Sequence, residues 1–169
     1  MTAADFILVR RWRAADERQR LLQIVQPALI GLIDGTISTL APIFATAYLA
    51  GSHAALLVGL AAALGAAISM GMSEGLSDDG EITGRGASLQ RGVLTGVATF
   101  VGGTAHALPF LISDIDTALT VAYIVVAIEL VVIAWVRKRF LNVALRTSLI
   151  QVTLGGIIVA AVGVLVGHA

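Results

Sequence analysis

Five apolar stretches dominate the chain: Ile24 to Leu49, Ala54 to Leu76, Gly92 to Ile112, Thr117 to Val136 and Thr147 to Val166. Each is close to the length of about 20 residues that a helix needs to cross the hydrocarbon of a bilayer. None alternates apolar and polar positions as a barrel strand does. The chain is 57% hydrophobic and 13% charged, where soluble domains carry about 25% charged residues. The expected fold is therefore an all-α membrane protein with five transmembrane helices in one domain, residues 24–169, preceded by a leader at residues 1–23.

The leader holds one short apolar patch, Phe6 to Val9, before five arginines, and no small-residue cleavage site follows an apolar core. A cleavable signal is not expected. An amphipathic surface helix, with Phe6, Ile7, Val9 and Trp12 dipping into the interface, and a solvated leader helix fit equally. The connectors are Gly51-Ser52-His53, Ser77 to Arg91, Ser113-Asp114, and Arg137 to Arg146. Five Lys or Arg residues lie in the leader, two in the second connector (Arg85, Arg91) and four in the last (Arg137, Lys138, Arg139, Arg146), which accounts for all eleven. The positive-inside rule then places the N-terminus in the cytoplasm and the C-terminus outside. Zero formal charge gives no basic face for nucleic acid, and the absence of cysteine removes disulfides, thiolate zinc sites and cysteine nucleophiles.

Gly31 and Gly35, Gly71 and Gly75, Gly92 and Gly96, and Gly163 and Gly167 repeat small residues four apart. Such pairs let helix backbones approach closely, a main source of helix association in lipid. Pro27 falls in the first turn of span one, where its missing N–H does no harm. Pro42 and Pro109 fall deep enough to kink or break their helices.

The chemistry-bearing residues are few. Asp34 sits about ten residues into span one, ~15 Å at the helical rise and so near mid-membrane, where an ionisable group is costly and marks a functional site. Span two ends Ser69-Met70-Gly71-Met72-Ser73-Glu74, with Met70 and Glu74 on one helical face. A thioether below a carboxylate suits Fe²⁺ or a similar first-row ion better than Mg²⁺ or Ca²⁺. Met70 and Met72 can equally be gap-fillers in a packed bundle. Asp78, Asp79 and Glu81 follow directly, either concentrating cations at the inner mouth or simply ending the helix in solvent. Glu129, within span four, reads as a proton carrier or as a partner of Arg146 or Gln151. His106, in span three, reads as a ligand or relay, or as a packed, hydrogen-bonded side chain. No hydrolytic triad, HExxH helix, dinucleotide fingerprint or P-loop is present, so an enzyme is not expected.

Two segments, Ile30 to Phe44 (IGLIDGTISTLAPIF) and Ala66 to Glu74 (AAISMGMSE), resemble the first two helices of the vacuolar iron transporter family. The stretches VQPALIGLIDGTISTLAP, SDDGEITGRG and GGTAHALPFLI are similar above all to the transporter half of bacterial membrane-bound ferritin-like iron exporters. The resemblance implies a five-helix homodimer in a bacterial inner membrane that moves Fe²⁺, and often Mn²⁺, out of the cytosol against protons, with no permanently bound cofactor. It also implies a metal path along the subunit interface built from Asp34, Met70 and Glu74. Ser73 and Gly75 stand where the family's Gly-Glu-Tyr motif has Gly and Tyr, and the connector Ser77 to Arg91 is too short for a helical metal-binding domain. A ferritin-like domain is not expected before the leader. Two other classes share this topology: a passive dimeric ion channel, and a non-transporting structural subunit whose intramembrane acids fix helix pairing.

Overall fold

Gly51 turns the chain back on itself in a single residue. Its φ of 79° and ψ of −176° lie where side-chain-bearing residues are strained, and the helical chain on either side folds into an antiparallel hairpin. A Cβ placed on Gly59 would sit 3.0 Å from Ile43 Cγ1, while Thr39 and Ala63 both border Gly103. Each of the pairs Ile43/Gly59 and Thr39/Ala63 is equidistant from Gly51, which fixes the register of the two arms.

The computed structural model describes residues 15–81 and 83–169. The expectations on Phe6, Ile7, Val9 and Trp12 lie outside the described residues. From residue 15 the chain is helical through a π turn at Leu21–Val25 into α1 (Gln26–Ser38). Pro27 lies in the first turn of α1, as expected, and helical structure precedes it from residue 15. In the π turn the Gln26 N–H reaches back to the Leu21 carbonyl. That widened turn accommodates a proline ring that an unbroken α-helix would reject.

Helix α1 breaks at Thr39 (φ −90°, ψ −12°), three residues before Pro42, whose missing N–H deprives the Ser38 carbonyl of its usual helical donor. Beyond the break, α2 (Leu40–Gly75) holds both arms of the hairpin. Helix α3 (Ser88–Ala105) is followed by a 3₁₀ turn at Leu108–Leu111 that contains Pro109, so the proline falls where the helix has already ended. Then come α4 (Ile115–Leu141) and α5 (Leu145–Gly167). Asp114 caps α4 by accepting the Thr117 N–H at 2.9 Å, and Asn142 ends it in the left-handed conformation, with Lys138 and Arg139 in the last turn. No strand occurs among the described residues.

Three helices are long and apolar enough to cross a membrane: Ala15–Gly75, Ile115–Leu141 and Leu145–Gly167. The first, at 61 residues, is about three times the needed length, and the reversal at Gly51 divides it.

Glycines set the packing. Cβ atoms on Gly31 and Gly35 would run into the backbone carbonyls of Thr95 and Thr99, and one on Gly102 would meet the Leu32 carbonyl at 2.8 Å. Helices α1 and α3 are therefore parallel and in backbone contact. Gly71 against Gly92 and Gly96 against Ala67 hold the second arm of α2 antiparallel to α3, and Gly163 against Ala41 sets α5 alongside the first arm. Leu40, Ile43, Phe44, Ala55, Ala118, Ala122 and Ile133 are fully buried between these elements.

Candidate metal and proton sites

Four residues per helical face separate Ile30, Asp34 and Ser38. All three are at least partly exposed, whereas their neighbours Gly31 and Gly35 are buried against α3. Asp34 therefore projects from the outward stripe of α1. No hydrogen bond or ion pair to it occurs among the described residues. The hairpin register places residue 34 level with residue 68, so Met70 lies about 3 Å and Glu74 about 9 Å further along the same axis. Met70 is half-buried and Met72 faces outward at 58% exposure.

Glu74 is held by two arginines. Its Oε1 accepts from Arg85 Nη2 at 2.6 Å and from Arg91 Nε at 2.8 Å. Asp78 completes the cluster, its Oδ2 taking Arg85 Nη1 at 3.1 Å and its Oδ1 taking Arg91 Nη2 at 3.0 Å. Arg91 also donates to the Gly86 carbonyl at 2.6 Å. The connector can fold back this way because Gly80 and Gly86 adopt φ of 82° and 72°, conformations that favour glycine. Burial pushes the Asp78 carboxyl up, but the Arg91 charge, the Gly80 N–H and hydrogen bonds from Arg85 and Thr83 outweigh it and hold the group below the ordinary carboxylate value. Asp79 accepts the Glu81 N–H at 3.0 Å, and both residues are exposed.

Glu129 finds neither of the partners the sequence offered. Gln151 instead accepts from Arg137 at 2.9 Å, and Glu129 Oε2 lies 2.9 Å from Nδ1 of His106. Thr36 Oγ1 approaches its other oxygen at 3.4 Å. His106 is fully buried, and its Nε2 lies 2.8 Å from Thr39 Oγ1. Both ring nitrogens are thus engaged and neither is free for a metal. His106 reaches this place as the C-cap of α3, still in helical backbone angles and continuing the buried stripe of Thr95, Thr99 and Gly102. Thr36 and Thr39 leave little trace in the sequence beyond hydroxyls, with Ser38, within an apolar run just ahead of Pro42.

Among the described residues no group of three or more His, Asp or Glu side chains could hold a metal ion. Asp34, Met70 and Glu74 are stacked along one helical hairpin rather than gathered at one point.

Long apolar helices carrying buried and half-buried ionisable groups define a multi-pass membrane protein. The sequence pattern of the VIT family matches residues 75–168, more than half of the chain, and the protein belongs to that family of membrane metal-ion transporters. The match takes in His106 and Glu129 and begins one residue after Glu74. No curated protein and no solved structure matches the chain.

Proposed function

We propose that the protein is a homodimeric exporter of Fe²⁺, or Mn²⁺, driven by protons, with five membrane crossings and its N-terminus in the cytosol. The observation that carries this reading is Asp34 itself, half-buried on the outward stripe of α1 and without a hydrogen bond or ion pair among the described residues. A carboxylate on the outward stripe of an apolar helix is not tolerated against lipid tails, so a second protein surface must cover it. A second copy does so with its own Asp34, and two facing carboxylates in a poorly hydrated place cannot both stay charged without a cation between them. Metal and protons then compete for one site. Met70, about half a turn away in depth, adds a soft ligand. Glu74, with Asp78, Asp79 and Glu81, stands at the inner mouth, where it collects ions once Arg85 and Arg91 yield it.

The orientation has support of its own. The ends of the bundle at residues 75, 88, 141 and 145 lie on one side, and Arg85, Arg91, Arg137, Lys138, Arg139 and Arg146 cluster there, as the positive-inside rule requires of a cytosolic face.

The test is Fe²⁺ uptake into proteoliposomes with and without an imposed pH gradient, beside Asp34→Asn. Gradient-driven uptake that the variant loses is the expected result. Uptake indifferent to the gradient would make the protein a channel, and full transport by Asp34→Asn would remove the mechanism.

A further inference from the structure

Thr39 Oγ1 stands 2.8 Å from two groups at once, the Gly35 carbonyl oxygen and His106 Nε2. The hydroxyl has one proton to give, and the carbonyl can only accept. When Thr39 donates to Gly35, the contact to His106 is a hydrogen bond only if Nε2 carries a proton and donates it to Thr39. The contact between His106 Nδ1 and Glu129 Oε2 needs a proton of its own, whether it rests on the ring or on the acid. The pair then holds two protons and is electrically neutral overall.

Remove one, and the arrangement has a single solution. The remaining proton must sit on Nδ1, because a bare nitrogen facing a bare carboxylate is repulsive. Nε2 becomes an acceptor, and the Thr39 hydroxyl must turn to it and abandon Gly35. The backbone offers a poor replacement, since the ordinary helical donor to that carbonyl, the Thr39 N–H, is directed at Ile37 O. An unpaired carbonyl in the packed interior is expensive, and this one belongs to the residue after Asp34.

We propose that His106 and Glu129 form a second proton-binding site, inside each protomer, whose occupancy is transmitted through the Thr39 hydroxyl to the Gly35 carbonyl at the turn that carries Asp34. The groups that face the pair are hydroxyls, Thr36 from α1 and Thr39 from the break before α2. From α3, Thr99 donates its proton to Thr95 O, and from α5, Gly156 presents only backbone against Leu130. Among the described residues no other ionisable group hydrogen-bonds to the pair: Tyr48 and Tyr123 bond each other at 3.2 Å, Glu74 and Arg91 pair with each other, and Asp34 lies about 200° around the helix from Thr36. The hydrogen bonds that a proton on the pair affects directly are those to Thr36 and Thr39. The consequence for transport rests on the proposed role of Asp34; the proton site itself does not.

Nitrogen-15 spectra of the full, histidine-labelled chain in metal-free lipid nanodiscs, taken across roughly pH 5 to 9, test it, with His106→Gln identifying the resonances. At low pH Nε2 of the wild type carries a proton, and at high pH the proton is on Nδ1 alone. In Glu129→Gln the amide donates to Nδ1 in place of the acid, so Nε2 keeps its proton throughout. In Thr39→Val, which removes the acceptor at Nε2, the Nδ1–H form extends to lower pH. A single tautomer at every pH in the wild type, or an unchanged switch in Glu129→Gln, overturns the proposal. No metal is present, so failure here is separate from a failure of the exporter reading in proteoliposomes.

Discussion

Arg91 Nε lies 2.8 Å from Glu74 Oε1, with the arginine side chain only 1% exposed. Replacing Arg91 by methionine keeps the stem but leaves Glu74 and Asp78 without their buried cation. The expected loss is on the order of 3 kcal/mol, read from chemical denaturation in detergent. Arg85, at 20% exposure, shares the same carboxylates nearer water, and Arg85→Gln costs about 1 kcal/mol or less. Equal losses for the two variants would mean that the cluster has no buried centre.

Gly35→Ala and Gly65→Ala part company. A methyl at position 35 collides with the Thr99 carbonyl, which is backbone and cannot step aside, whereas one at 65 meets nothing within 4 Å. Gly35→Ala loses about 3 kcal/mol through forced separation of α1 and α3, while Gly65→Ala gains up to about 1 kcal/mol of helix propensity. Thermal midpoints of the two purified variants check this.

Stability carried by Asp78 follows the sign of its shift. Because its folded value lies below the ordinary carboxylate value, its ion pairs stabilise the fold fully above about pH 4 to 5 and are lost as pH falls through the depressed value. The gap in thermal midpoint between wild type and Asp78→Asn should stay constant from neutral pH down to that point and close below it. A gap that widens on acidification would contradict the pairing.

Asp114 is held below its usual value by the hydroxyl and N–H of Thr117. Asp114→Ala uncaps α4 and lowers the midpoint, and Asp114→Ser restores most of it. Amide exchange at residues 115–118 localises the effect.

Asp34 was legible in the sequence because a lone charge in an apolar run needs no partner to be noticed. Its facing was not, since depth follows from counting residues but rotation follows from which side a neighbouring helix approaches, and here Gly31 and Gly35 decide that. The partner of Glu129 was missed for a related reason. Residues near in depth, Arg146 and Gln151, were visible candidates, but His106 meets Glu129 only through the tertiary packing that brings the end of α3 to α4, which spacing along the chain does not reveal. Glu74 reads from the sequence as a carboxylate on one helical face with Met70, with no sign of its ion pairs. Its two arginines come from a connector that doubles back on Gly80 and Gly86, and positive φ at both turns leaves only the glycines as a trace. Pro42 and Pro109 stand where a helix does not simply continue, and Pro27 lies in the first turn of α1, as the sequence leads one to expect.

The backbone contact between α1 and α3 carries a mechanical consequence. With the carbonyls of Thr95 and Thr99 seated against glycines, there is no layer of side chains between the two helices to shear or repack, and they can only roll as one slab. In the proposed exporter, a motion that exposed Asp34 first to one side and then to the other would carry α3 with it, and would be taken up at the break by Thr39 and at the single-residue reversal of Gly51.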